Sequence, residues 1–257
     1  MNPTPQNCQV VRDGRVLEIA IARPEARNAL DYATVAELTA HLRAADSDPE
    51  VGAVLLYGDG PCFCSGGDLR EFEAGVGQTA YEYHRTGEAW ATLMRLVPSL
   101  TVPVVMAPHK YALAGGTGIV ASADIAITAE GTQFGMPEIR IGLFPAIIFG
   151  TVVHAIGPSA ARELALTARR FDADEALRLG LVHRVVAPED LLDIARSTAE
   201  EVAGFGADVL RLAKEYMRTA TELGVDAATR HGQAVRGAFM ETDDFRAGVA
   251  RFTSKPN

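Results

Sequence analysis

Val16-Leu17-Glu18-Ile19-Ala20-Ile21 is an apolar run stopped by Pro24, and beyond it Asp31 stands ahead of Val35, Leu38 and Leu42, which recur at helical spacing. The first segment reads as a strand, the second as a helix capped by Asp31. The next apolar run, 51–57, ends in Gly58-Asp59-Gly60-Pro61 and reads as a strand followed by a turn. Farther out, 88–97 carries a helical pattern, while 102–107 and 124–128 read as strands with helices close behind them. After Ser159 the pattern turns helical over 160–168, 173–179, 189–203 and 207–219, interrupted by a strand-like 182–186. The expected fold class is α/β with an α-rich tail. A soft boundary near Ala187 divides a core over 1–187 from a helical region over 188–257. With no tandem repeat or low-complexity linker, the two are expected to pack as one unit.

The chain has 257 residues, 48% of them hydrophobic, and 24 Lys and Arg against 33 Asp and Glu leave a net charge of −9. An acidic chain with scattered charges argues against a nucleic-acid backbone or an anionic membrane surface as main partner, while leaving room for a local basic pocket. The opening MNPTPQNCQVVRDG lacks the basic and apolar regions of a secretory signal, and no apolar stretch reaches about 18 residues, so a cytoplasmic protein is expected. Cys8, Cys62 and Cys64 cannot all pair and lack partners at zinc-ligand spacing; they read as small buried thiols, with no metal site.

Three glycine clusters are candidates for chemistry: Ser65-Gly66-Gly67-Asp68, Ala114-Gly115-Gly116-Thr117-Gly118 and Gly142-Leu143-Phe144-Pro145. Glycine lets a backbone N–H approach a ligand closely, although a single cluster is more often a turn. Gly116-Thr117-Gly118-Ile119-Val120-Ala121 matches a dinucleotide-binding pattern. That reading is rejected because 109–114 separates the preceding strand from the glycines and the following helix has too little room. No serine-nucleophile elbow, phosphate-binding loop or zinc-protease histidine pair is present. Of six scattered histidines, His84 and His109 lie nearest the glycines, where a structural role is the more common one.

Five segments in order carry a more specific signal: Arg23-Pro24-Glu25-Ala26-Arg27-Asn28-Ala29-Leu30, Phe63-Cys64-Ser65-Gly66-Gly67-Asp68-Leu69, Tyr111-Ala112-Leu113-Ala114-Gly115-Gly116, Phe134-Gly135-Met136-Pro137-Glu138 and Ala176-Leu177-Arg178-Leu179-Gly180-Leu181-Val182. Together they resemble the crotonase, or enoyl-CoA hydratase/isomerase, superfamily, and the likeness runs from about Val10 to Phe252. The resemblance implies a spiral of ββα units closed by C-terminal helices that build a homotrimer or a hexamer made of two trimers. It also implies an acyl-CoA thioester as substrate, with no cofactor beyond that coenzyme A.

By the same resemblance Gly67 and Gly115 match the two residues whose amides grip the thioester oxygen. Such preorganised donors stabilise a developing enolate, and losing one typically costs about 3–4 kcal/mol in the transition state. Ala26, Arg27, Ser65, Asp68 and Leu69 match positions along the coenzyme A channel, and Phe252 and Lys255 match a C-terminal pair that reaches it, often from a neighbouring subunit.

Hydratases of this superfamily hold a water between two glutamates. Here Glu138 matches one of them, but the position of the other, three residues beyond Gly115, is Gly118. A single carboxylate suffices to move a proton from C2 to C4 of a 3-enoyl thioester, so the expected activity is a Δ3-to-Δ2 enoyl-CoA isomerase with Glu138 as base. Two alternatives stand beside it: a hydratase with an atypical second catalytic group, and a low-activity acyl-CoA-binding protein. Ile139, Leu143 and Phe144 are the apolar neighbours expected to raise the Glu138 pKa, Arg140 is its candidate ion-pair partner, and Glu130 and Asp124 are candidate acidic companions. The bulky run Phe144-Pro145-Ala146-Ile147-Ile148-Phe149-Gly150 suggests a tight, dry acyl pocket.

Overall fold

The computed structural model describes residues 7–253. The decisive strand is β2, Val16–Ile21, preceded by β1, Cys8–Asp13. Gly14, at φ +54, turns the chain between them into an antiparallel hairpin. Asp31 caps helix α1, Tyr32–Ser47, as expected, its carboxylate accepting from Thr34 N at 2.8 Å. Strand β3, Ala53–Gly58, lies parallel to β2, and after helices α2, Leu69–Gly75, and α3, Ala80–Ser99, strand β4, Val104–Ala107, joins parallel to β3.

From here each turn of the chain contributes one strand to this sheet and a shorter one to a second. β4 is followed by β5, Tyr111–Leu113, and helix α4, Gly115–Val120. The next pair is β6, Ile125–Ala129, and β7, Gln133–Gly135, followed by helix α5, Ala146–Thr167. Then come β8, Arg170–Asp172, helix α6, Ala173–Leu179, and β9, Arg184–Val186. Among the described residues the large sheet has the order β1-β2-β3-β4-β6-β9 and the small one β5-β7-β8. Single bridges, Leu30 to Gly67 and Cys64 to Ala112, continue the small sheet toward the N-terminal turns. This is the α/β spiral of ββα units, a repeat of structure that leaves no fixed period in the sequence.

The main core lies between the large sheet and α1, α3 and α5, where Ile19, Ile21, Leu38, Leu42, Leu56, Leu93 and Met106 are buried. The opposite face is covered by helix α7, Leu191–Ala203, whose Leu191, Ala195, Ala199 and Ala203 fall on one stripe and pack against Leu55, Val105 and Ile127. Helices α8, Ala207–Thr221, α9, Val225–Glu241, and α10, Asp243–Thr253, complete the chain. Among the described residues no helix is long and apolar enough to cross a membrane, and no cluster of side chains is arranged to hold a metal ion.

Two expectations need correction. The interval 109–114 is not free of strand, because β5 occupies half of it and runs almost directly into Gly115. The case against a dinucleotide site therefore rests on the shortness of α4. The segment 160–168 is not a separate helix: it continues α5 beyond a kink at Gly157, φ +78, and Pro158.

Candidate active site

The two glycine loops meet because the small sheet brings their segments side by side. Cys64 N donates to Tyr111 O at 3.0 Å, and Leu113 N donates to Cys64 O at 3.0 Å. The backbones approach so closely that a Cβ on Gly66 would lie 2.8 Å from Ala114 Cβ, and one on Gly116 would lie 2.9 Å from Cys64 O. Gly66 also sits at φ +105, so both space and backbone conformation call for glycine there.

Ala114 adopts φ 50, ψ −121 just ahead of Gly115, a strained geometry for a residue with a side chain. Its N–H donates to Gly135 O at 2.8 Å, which holds the strained turn against β7. Gly115 then begins α4, where a first-turn amide has no intrahelical acceptor. Among the described residues neither Gly67 N–H nor Gly115 N–H finds a hydrogen-bond acceptor. One side chain spans both positions: a Cβ on Gly115 would lie 2.5 Å from Trp90 Cζ3, and one on Gly67 would lie 3.6 Å from Trp90 Cζ2.

Glu138 follows β7, which pairs parallel with β5, so it leaves the same end of the small sheet as Gly115. It lies in a short 3-10 turn, Pro137–Ile141, which Gly142 ends at φ 77. The side chain is half-buried, and its Oε2 is buried without a hydrogen-bond partner. Burial pushes its pKa above the usual carboxylate range, partly offset by a hydrogen bond from its own backbone amide. The candidate ion pair with Arg140 does not form, since that guanidinium donates to Ala168 O from Nε at 3.3 Å and Nη2 at 3.0 Å. Nor do the candidate companions serve: Asp124 is held by Lys214 Nζ at 2.6 Å, and Glu130 is exposed.

Position 118, where the superfamily's other glutamate would stand, is filled from outside. A Cβ there would lie 2.5 Å from Ile148 Cγ2, 2.6 Å from Ile148 Cβ and 3.3 Å from Met94 Sδ. The bulky run that begins at Phe144 thus supplies, at its fifth residue, the side chain that closes this position.

The turn bearing Ala26 and Arg27 is laced to the Gly67 loop. Ser65 N donates to Arg27 O at 3.1 Å, Leu30 N to Gly66 O at 2.8 Å and Asp68 N to Leu30 O at 3.0 Å. Arg27 and Asn28 both take φ 54, and the buried Asn28 holds this turn through Nδ2, which donates to Asp59 O at 2.8 Å and Cys62 O at 2.6 Å. Asp68 caps α2 and accepts from Arg70 and Arg23; the Arg70 hydrogen bonds, with Arg23 adding to them, hold its carboxyl down at about 2. Leu69 is exposed at the start of that helix.

Phe252 is 83% exposed on α10, so it does not join this cluster within one chain, and Lys255 lies outside the described residues. His109 Nε2 bonds to Gly60 O at 3.1 Å and His84 is exposed on α3, so neither is brought into the cluster. Sequence reasoning missed Trp90, Met94 and Asn28. Trp90 and Met94 stand four apart on α3, a one-face spacing that the sequence displays.

The enoyl-CoA hydratase/isomerase family matches residues 12–257 of this chain. The chain belongs to that family. A Mycobacterium bovis protein named as a probable enoyl-CoA hydratase is 34% identical, over 96% of this chain and 94% of its own length. The short-chain-enoyl-CoA hydratase of Clostridium acetobutylicum is 30% identical, over 97% and 95%. The crystal structure of a Mycobacterium smegmatis enoyl-CoA hydratase superposes with a TM-score of 0.93 at 28% identity, covering 98% of both chains. Membership in this family accords with an acyl-CoA substrate and with an enzymatic role.

Proposed function

We propose that this family member shifts the double bond of a 3-enoyl-CoA into conjugation, with Glu138 as the single proton carrier. The observation that carries the reading is the closure of position 118 by Ile148 and Met94, which leaves no place there for a second carboxylate to hold a water. Glu138 takes a proton from C2, and the C2–H electron pair delocalises into a dienolate whose oxygen accepts hydrogen bonds from the Gly67 and Gly115 amides. The same carboxyl then returns the proton to C4, giving the 2-enoyl thioester with no change in mass. A partnerless carboxylate oxygen with a raised pKa suits this task, because it is not tied down by an ion pair and it holds a proton well enough to deliver it. The reaction needs no cofactor beyond the coenzyme A of the substrate. Ala26, Arg27, Ser65, Asp68 and Leu69 form the coenzyme A channel in this reading, with Phe252 and Lys255 completing it from a neighbouring subunit of a trimer.

The test follows a short 3-enoyl-CoA by product mass and conjugated-thioester absorbance. The expected result is a 2-enoyl-CoA of unchanged mass, with turnover reduced by at least about a hundredfold in Glu138→Gln and thioester binding nearly intact. Gly67→Pro, which removes one amide, is expected to abolish activity in a folded protein. The names of the similar proteins favour a second reading, hydration; a 2-enoyl-CoA gaining the mass of one water, with the 3-enoyl-CoA untouched, would replace the isomerase with it. Tight thioester binding without turnover, the same in Glu138→Gln, would point to a binding protein.

A further inference from the structure

Gly115 and Glu138 stand on two arms that leave the small sheet at one place, the last rung between β5 and β7, where Leu113 lies opposite Gly135. Two residues beyond that rung the first arm reaches Gly115, and three residues beyond it the second reaches Glu138. Helix α4, which the first arm enters, is a weak helix by itself, because three of its six residues are glycine. Its one polar side chain is the fully buried Thr117. The hydroxyl reaches across to the sheet: its single proton serves Ala112 O at 2.6 Å, with Gly135 O also in reach at 2.9 Å, and its oxygen accepts from Gly135 N at 3.2 Å. Thr117 thus sits on the rung and touches both strands, at the fork from which the two arms diverge. Elsewhere α4 is held by packing, from Trp90 at Gly115 and from Ile148 and Met94 at Gly118. Packing excludes overlap, whereas a hydrogen bond fixes both a distance and a direction.

We propose that Thr117 is a positioning residue, whose hydroxyl holds the Gly115 amide and the Glu138 carboxyl at the separation that proton transfer from C2 requires. This rests on the reading of Glu138 as the proton carrier and of Gly115 as a donor to the enolate oxygen. Glu138 must reach C2 while the thioester oxygen, two bonds from C2, stays on the Gly115 amide, so the arms have to keep one spacing throughout the reaction. A misplacement of about 1 Å can cost about a hundredfold in rate. Removing the hydroxyl lets the fork relax without dismantling either arm, since the rung itself and the packing around α4 remain.

The test uses two probes: 3-hexenoyl-CoA, whose rise in conjugated-thioester absorbance reports proton transfer, and butanoyl-CoA, whose calorimetric titration reports thioester binding. Thr117→Val keeps the branched shape without the hydroxyl and is expected to lower kcat at least about tenfold while holding butanoyl-CoA affinity within about threefold; Thr117→Ser, which keeps the hydroxyl, is expected to recover a rate within about threefold of the wild type. Thr117→Ala removes the hydroxyl without valine's second methyl; it is expected to lose as much and gives the same reading if Thr117→Val folds poorly. A purely structural role would lower the rate by the same factor whatever residue stands at 138. Positioning predicts otherwise: in a Glu138→Gln background Thr117→Val is expected to change the residual rate by less than about twofold. A wild-type kcat in the variants without the hydroxyl, equal losses in both backgrounds, or a Thr117→Ser variant no faster than Thr117→Ala would overturn the positioning role. Binding of butanoyl-CoA by a wild type that leaves 3-hexenoyl-CoA untouched would overturn the reading of Glu138, and the role of Thr117 with it.

Discussion

Glu138 combines three properties that rarely persist together without a use: partial burial, an oxygen with no hydrogen-bond partner, and a pKa raised by desolvation. As the proposed base it must be ionised, so the acid limb of the pH–rate profile is expected above the free glutamate value of 4.5, with activity falling as pH drops through the raised value. The stability sign is opposite to that of an ion-paired carboxylate. Below the unfolded-state pKa both states hold the proton; as pH rises through the interval up to the folded pKa, the unfolded chain releases it first and stability declines. Glu138→Gln is therefore expected to melt higher than the wild type at neutral pH, with the difference vanishing in acid below the ordinary glutamate range. Thermal melts of both proteins across pH check this.

Asp68 shows the other sign. Its pKa is held down at about 2, so its contribution is fully present above the unfolded value near 3.8 and is lost as pH falls toward 2. Asp68→Ala is expected to cost about 1 kcal/mol as a lost helix cap, seen as a lower denaturant midpoint at neutral pH that converges with the wild type in strong acid. At this scale the amino-acid sequence, through its resemblance to the superfamily, names the candidate groups: one glutamate, two amide-bearing glycines and a glycine at 118 where a second glutamate would stand. It does not reveal that Asp68 accepts from two arginines, because Arg23 comes to it across a turn whose shape Asn28 sets.

At the scale of elements, the chemistry turns on how α3, α4 and α5 cross. The small helix α4 lies where Ile148 of α5 and Met94 of α3 both press on Gly118. Gly118→Ala is expected to cost about 1–3 kcal/mol through overpacking. Ile148→Ala should relieve that cost, so a double-mutant cycle measured by denaturant unfolding is expected to show a coupling well above the few tenths of a kcal/mol seen between independent sites. Additive effects would mean that the two side chains do not compete for the space.

Local periodicity was a good guide to the long elements: α1 with its Asp31 cap, the buried strands of the large sheet, and α6 through α8. It failed on β1, β5, β7 and β8. β1 is an edge strand exposed along most of its length, with Val10 and Val11 facing outward, so its residues carry no buried pattern to read. The other three are three residues long and exist through pairing with one another, which no local window contains. The final helices, α9 and α10, went unread even though Phe245, Val249 and Phe252 stand at one-face spacing on α10; neither helix buries a residue within this chain.

For the whole molecule, the C-terminal helices divide into those bound to the core and those standing off it. Helix α8 is docked by its cations: Arg211 donates to Asp46 O at 2.7 Å and to Asp48 O at 3.1 Å, and the buried Lys214 donates to Val102 O at 3.1 Å and pairs with Asp124. Helices α9 and α10 leave Met240, Phe245, Val249 and Phe252 exposed, an apolar surface that the proposed trimer would cover. A chain ended after Glu241 is expected to keep its fold by circular dichroism but to sediment as a monomer and bind coenzyme A thioesters more weakly. A full-length protein that sediments as a monomer would remove the trimer.

The sequence by itself determined the alternation of strands and helices and the three glycine clusters, and through its resemblance to the superfamily it offered one candidate catalytic glutamate without the usual companion. These are properties of neighbouring residues, set by backbone geometry and by the chemistry of single side chains. The tertiary structure decided which distant side chains share a space: Trp90 across Gly67 and Gly115, and Ile148 and Met94 against Gly118. Such meetings depend on the crossing of helices fixed by the packed core as a whole, and a spiral chain brings together residues whose separation along the sequence gives no sign of it.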